Sequence, residues 1–335
     1  MLARSMRSRP RDASTPPTPC GRLALARWWL IRSEPFEMLA TERVVEIAEG
    51  GTRLSVSSGA LEVTRDGLQL AAIPLSDIAV VLVSHPAVTL TQAVLTGLAE
   101  SGAAFVACDE RRHPAAMLLP LHGHYVQGER IALQVEAPKP RLNRIWQQVV
   151  RAKIRAQARL LSDLHGSDQG LGTLVARVKS ADRANVEAQA ARRYWPLLFD
   201  NPDFRRERDA ADQNRLLNYG YAVLRSVVAR GICAAGLHPS IGIHHHNRYD
   251  AFRLADDLME PLRPKVDREV AIIVAEHGGG VEMGGSAKAR LVEAALGEVV
   301  LDGDTRSMPD AVSRMSTSLV DVLAGERRAI AIPEV

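Results

Sequence analysis

From Thr41 to about Leu121 the apolar residues fall into short runs: Val44-Val45-Glu46-Ile47, Arg53-Leu54-Ser55-Val56, Leu61-Glu62-Val63-Thr64 and Leu68-Gln69-Leu70. Alternating or β-branched runs of this length predict strands, because successive side chains on a strand point to opposite faces. Gly50-Gly51, Ser58-Gly59 and Asp66-Gly67 punctuate them as turns, and the Asp-Gly pair is a strong hairpin signal. Ile78 to Val83 is apolar throughout, the pattern of a buried strand. A helix from about Thr91 to Glu100 and a strand near Phe105-Val106-Ala107 follow. After Pro138 and Pro140 the texture changes. From Arg141 to about Gly325 the pattern predicts successive helices, and no convincing period-2 segment stands out.

These patterns predict an α+β protein, with a small, mainly β domain over residues 38–130 and a larger all-α catalytic domain over residues 138–325. Residues 326–335 read as a tail. Residues 1–37 form an extension in which Arg4, Arg7, Arg9 and Arg11 lead into a Ser, Thr and Pro stretch before Trp28 and Trp29. Such a start is either a disordered segment or an over-long one, with Met38 the true first residue.

Composition narrows the class. A chain of 335 residues has room for two domains, and 46% hydrophobic with 24% charged residues belongs to a folded rather than a disordered protein. Aromatics are only 4%, so the core rests on Leu, Val, Ile and Ala, which favours helix. Cys20, Cys108 and Cys233 are far apart and odd in number, which indicates neither a disulfide framework nor a zinc ribbon and points to a reducing cytoplasm. No apolar run approaches the roughly 20 residues needed to span a bilayer. The net charge of +3 says little about nucleic acid by itself. Its distribution says more: Lys139, Arg141, Arg144, Arg151, Lys153, Arg155 and Arg159 decorate one predicted helix with almost no acid between them. Arg192, Arg193, Arg205, Arg206 and Arg208 crowd a later region. Clusters of this kind neutralise backbone phosphates without reading sequence.

Candidate chemistry concentrates in three stretches. In residues 236–267 a Gly- and Pro-bearing loop ends in His244, His245 and His246, and a helix is predicted from about Ala251. Asp257 and Glu260 stand at i and i+3 on that helix, so both carboxylates project to one side, before Pro261 and Pro264 disturb it. Carboxylates opposite imidazoles suit Mg²⁺ or Mn²⁺, although paired acids at helical spacing are also a common solvated face. In the stretch DRANVEAQAARRYWPLLFDN, Glu187 lies among small alanines; alone it reads as a surface residue, and it gains interest as a third ligand. In NRLLNYGYAVL, Asn214, Asn218 and Gly220 interrupt an apolar pattern and read as packing and hydrogen-bonding residues.

Taken in order, NVEAQAARRYW, LNYGYAVL, GIHHHN and LADDLMEPLRPKVD resemble the CRISPR-associated integrases that insert new spacers into the repeat array, most closely the version found with Cas9-type (type II) systems. The resemblance reaches from about Met38 to the C-terminal helices. It implies an N-terminal β domain on a helical catalytic domain, a homodimer, and a larger complex with a small dimeric adaptation partner that holds double-stranded DNA. Cas9 and other type II adaptation proteins are further partners it suggests. The implied reaction is attack of a 3′-hydroxyl on a phosphodiester at the repeat border, without ATP. By motif, the implied metal ligands are Glu187, His245 and Glu260, with Asp257 assisting as a ligand or behind one. His244 or His246 could replace His245 through a small loop shift. Two rivals are a metal-dependent nuclease, using the same residues with water as nucleophile, and a non-catalytic DNA-binding scaffold resting on the basic helix.

Overall fold

A computed structural model describes residues 43–109, 114–120, 124–207, 210, 212–245, 247–278, 280 and 283–335. The N-terminal extension, Met38, Arg208 and His246 lie outside the described residues.

The alternating runs form β1 (Arg43–Ile47), β2 (Thr52–Ser57), β3 (Ala60–Arg65) and β4 (Leu68–Pro74), followed by β5 (Ile78–Val83), β6 (Thr89–Leu90), α1 (Gln92–Glu100), β7 (Ala104–Cys108) and β8 (Pro114–Leu118). β2, β3 and β4 are an antiparallel meander, extended by β6 on the far side of β2. Its turns are set by Ser58-Gly59 and Asp66-Gly67, where both residues of each pair take positive φ, the twist that two-residue hairpins need. A second sheet has the order β1-β5-β7-β8, with β1, β5 and β7 parallel and β8 antiparallel to β7. β5 is buried at every position because it feeds two cores. Ile78, Val81 and Val83 join the core of the β domain, while Val80 and Leu82 join that of the helices.

The helices are α2 (Gln127–Glu136), α3 (Lys139–His165), α4 (Val186–Leu198), α5 (Asn214–Ala234), α6 (Arg253–Met259), α7 (Arg263–His277), α8 (Gly285–Leu296) and α9 (Met308–Ala324). α3 starts just after Pro138 and ends at Gly166, whose left-handed φ of 74° lets its N–H close on the Ser162 carbonyl. It buries Ile145, Trp146, Val149, Val150, Ile154 and Leu161 as one stripe. Between α8 and α9 lies a hairpin that the sequence pattern does not announce, β9 (Glu298–Leu301) with β10 (Asp304–Ser307). The last residues are packed onto the helical domain. Ile330 and Ala331 are buried, and Glu334 exchanges backbone hydrogen bonds with Val300. Among the described residues no helix is long and apolar enough to cross a membrane.

Candidate active site

α4 is started by a residue outside it. Asp182, buried and at φ 43°, accepts hydrogen bonds from the backbone N–H of Val186 (3.0 Å) and of Glu187 (2.9 Å). This satisfies two of the free donors at the helix N-terminus and fixes the turn from which the Glu187 side chain departs. Ala190, packed against the core, keeps that helix close to α3.

Glu260 sits where α6 runs through a single 3₁₀ turn, Glu260–Leu262, into α7. Pro261 and Pro264 each fall in the opening turn of a helical segment, where a missing N–H breaks no hydrogen bond, so they redirect the chain rather than end it. The Glu260 carboxylate is nearly sealed from solvent. One oxygen meets Arg263 at 2.9 Å and the other meets Lys153 at 2.6 Å. The same Lys153 ammonium donates a hydrogen bond of 2.6 Å to Glu187. α3 therefore delivers one cation to both glutamates. Burial raises the Glu260 pKa, but Arg263 and Lys153 outweigh it and hold the carboxyl well below the usual range. Burial likewise opposes the charge on Lys153, and Glu260 and Glu187 overcome it, so its pKa is raised.

Asp257 is fully buried and closes the histidine loop. Its oxygens accept from the backbone N–H of Ile243 (2.6 Å), His244 (3.0 Å) and His245 (3.3 Å), and from the His245 ring nitrogen Nδ1 at 2.6 Å. A carboxylate in this setting accepts, so Nδ1 carries a proton and, in the neutral ring, Nε2 carries the lone pair. The Asp257 hydrogen bond raises the His245 pKa against the opposing effect of burial, with Glu260 and Glu187 adding to it. Gly242 allows the loop this close: a Cβ there would come within 2.9 Å of both Arg253 Cβ and the His245 carbonyl oxygen. Trp146, buried on α3, is the platform beneath. His244 stacks on it at 4.2 Å with a 4° tilt, and His245 stands edge-on at 5.7 Å.

Behind the site, Tyr194 donates to Asp267 at 2.8 Å, and Tyr221 donates to the other oxygen. Arg263 and Arg206 lie over the Tyr221 ring, at 4.7 and 5.3 Å. Asn214 and Asn218 accept from Arg206 at 2.9 and 2.6 Å, so both amides hold a neighbouring segment in place. Gly220 marks a close crossing of α5 and α7, since a Cβ there would run into Val266 Cγ1.

The structure thus joins Glu187 and Glu260 through Lys153, and His245 to Asp257. Among the described residues, no three His, Cys, Asp or Glu side chains draw together as a ready-made metal cage. The donor chemistry nevertheless fits a hard divalent ion. An ammonium already stands between the two glutamates, and the Glu260 oxygen it meets gains an ion pair without a well-directed hydrogen bond. Of the basic residues singled out in the sequence, Arg141 donates to the Leu323 carbonyl near the end of α9, and Arg151 donates to the Val178 carbonyl at 2.9 Å. Arg144, Arg155, Arg159, Arg192 and Arg193 are exposed. Arg151, Arg155 and Arg159 also line a cleft of about 460 Å³ with Arg327, on the side of α3 turned away from Lys153. Asp182, Trp146 and Arg263 were passed over in the sequence. Only Arg263 left a sequence signal, three residues after Glu260.

Residues 45–278 match the model of the family described as CRISPR associated protein Cas1. The chain belongs to the Cas1 family. The match runs through both domains and takes in Glu187, His245, Asp257 and Glu260. The CRISPR-associated endonuclease Cas1 of Neisseria meningitidis serogroup C (strain 8013) is 32% identical over 293 residues, covering 86% of this chain and 95% of that protein. Among solved structures, a casposase bound to integration product superposes with a TM-score of 0.70 at 17% identity, over 88% of this chain and 94% of that one. A Cas6-RT-Cas1–Cas2 complex gives 0.69 at 18% identity, over 89% of this chain and 36% of that one. At these identities the superpositions establish the Cas1-type fold.

Proposed function

We propose that this Cas1-family chain is the integrase of CRISPR adaptation, joining the 3′-hydroxyl ends of a short DNA duplex to phosphodiesters in the repeat array. The observation that carries this is the pair of glutamates from α4 and the α6–α7 turn, brought to one cation beside an imidazole fixed by a buried aspartate. A scaffold that only binds phosphate has no use for a sealed carboxylate such as Glu260, whose desolvation is unfavourable unless it is paired.

Glu187, Glu260 and Nε2 of His245 are the residues that would hold a Mg²⁺ or Mn²⁺ ion. When bound, the ion supplies charge stabilisation at the phosphoryl oxygen. Asp257 keeps the His245 ring in one orientation and one tautomer, and Arg263 anchors Glu260 from behind. The exchange balances without an outside energy source: a new phosphorus–oxygen bond forms to the incoming 3′-oxygen as one breaks, and the proton lost by the incoming hydroxyl is regained by the departing oxygen. Exposed Arg144, Arg155, Arg192 and Arg193 would meet backbone phosphates, as would Arg159 on release from its ion pair with Glu334. Casposase and Cas1–Cas2 neighbours of the same fold support a DNA partner and assembly with other adaptation proteins. A homodimer joined to a small dimeric partner, with Cas9 as a further contact, is the arrangement proposed here.

The test is strand transfer of a 3′-hydroxyl duplex into a supercoiled repeat-bearing plasmid, with the small partner protein and Mn²⁺. Native chain should give joined product. Glu187→Ala, His245→Ala and Glu260→Ala should each lose it by about 100-fold or more while still binding DNA in EDTA. No joining by native chain, with DNA binding equal in all four, would leave only the scaffold.

A further inference from the structure

Lys153 is the residue whose place the proposed metal chemistry does not explain. Its ammonium is 2.6 Å from an oxygen of Glu187 and 2.6 Å from an oxygen of Glu260, with only 12% of the side chain exposed. Those are the two carboxylates that the reading above gives to a divalent ion, and this inference rests on that reading. Two carboxylates held by one ammonium, Glu260 buried and Glu187 partly buried, repel each other unless a cation lies between them. An ammonium and a dication cannot share that position, since both need the same oxygens and like charges at contact distance oppose each other strongly away from water.

We propose that Lys153 and the divalent ion exclude each other, the ammonium holding Glu187 and Glu260 in register until the ion enters and displaces it. The side chain is suited to this. It is a compact charge on a four-carbon stem that swings without moving its helix, and the 27-residue α3 keeps its root fixed. Arg263 stays on the other Glu260 oxygen throughout, so the glutamate never loses both partners. The exchange keeps the empty site folded, and it lowers the apparent metal affinity by the fraction of molecules whose carboxylates the lysine holds.

The experiment titrates Mn²⁺ into the full chain without DNA and follows free Mn²⁺ by electron paramagnetic resonance, comparing native protein with Lys153→Met. The variant should bind Mn²⁺ about tenfold more tightly, since the competing state is gone. Equal or weaker binding in a folded variant overturns the exchange and makes the lysine a support for the bound ion instead. A second measurement needs no variant. Reductive methylation of the native chain, read by mass spectrometry, should spare Lys153 without metal and modify it about fivefold faster with saturating Mn²⁺, as the ammonium moves out to water. Exposed Lys139 and Lys179 serve as internal controls. Lys153 still protected when Mn²⁺ is bound overturns the proposal. Failure of both native and variant chains to bind Mn²⁺ overturns the metal reading itself, a result distinct from binding that is merely unchanged.

Discussion

Asp257 and Glu260 show how two acids one helical turn apart acquire different work. Asp257 has no exposed surface and accepts three backbone N–H groups and one ring N–H from the histidine loop. Glu260, just past the end of α6, faces two cations. Replacing Asp257 by Asn keeps the shape but leaves one acceptor oxygen and turns an amide N–H₂ toward N–H donors. Asp257→Asn should lose about 2 kcal/mol of stability in urea unfolding and weaken Mn²⁺ binding by 10- to 100-fold, roughly the range for losing a partner that orients a ligand. Native-like Mn²⁺ binding by the Asn variant would show that the loop holds His245 without the carboxylate. The i, i+3 spacing was legible in the sequence, because periodicity tells which way a side chain leaves its own helix. What faces it was not legible, because Lys153 comes from α3, more than a hundred positions earlier. Lys153 was read with the phosphate-binding arginines, yet it keeps step with Trp146, Val150, Gln157 and Leu161, spaced by three or four along the buried face. A charge in register with an apolar stripe was the available signal.

At the scale of elements, Asp267 ties three helices together: Tyr194 of α4 and Tyr221 of α5 both donate to this α7 carboxylate. Burial pushes its pKa up from 3.8 to about 6, against the opposing pull of the two tyrosines, Arg263 and Arg206. A carboxyl whose pKa is higher folded than unfolded holds its proton longer in the native state, so native stability falls as pH rises between those two values. Asp267→Asn removes that titration. The stability of native chain relative to Asp267→Asn should therefore drop by about 3 kcal/mol between pH 3.5 and pH 7 in denaturant unfolding, from 1.36 kcal/mol for each pH unit of difference. A difference constant across that range would mean that Asp267 titrates in the fold as it does in the unfolded chain. The strands and helices that surround this network were largely legible, because β2 and β3 alternate, β5 is apolar throughout and α3 carries a period near 3.6. The β9–β10 hairpin was not: four-residue strands give a period-2 pattern too few positions to stand out, and only Val299 and Leu301 are buried in β9. Asp182 was missed for a related reason, since it caps α4 from a turn with three left-handed residues, Ala181, Asp182 and Asn185, that no local pattern foretold.

At the scale of the molecule, the passage from a β-rich to a helical region was legible and their union was not. The change of texture after Pro138 marks a change of architecture, but β5 and β7 turn Val80, Leu82, Ala104 and Val106 into the core of the helices. Arg230 of α5 reaches across to the Gly102 carbonyl at 2.9 Å. Lys288 of α8, only 2% exposed, pairs with Glu46 of β1 at 3.4 Å and lies 5.3 Å over the Tyr219 ring. A continuous run such as Ile78 to Val83 says that both faces are covered without saying by what. Because one apolar core serves both halves, neither can open without exposing the other, and the chain should melt in a single calorimetric transition. Lys288→Ala removes the cation of a buried pair and leaves a void, at about 3 kcal/mol, so it should move that transition down as one peak. Two resolved peaks in the native chain would mean that the shared face does not couple the domains. A second peak appearing only in Lys288→Ala would assign the coupling to this ion pair rather than to the apolar face around it.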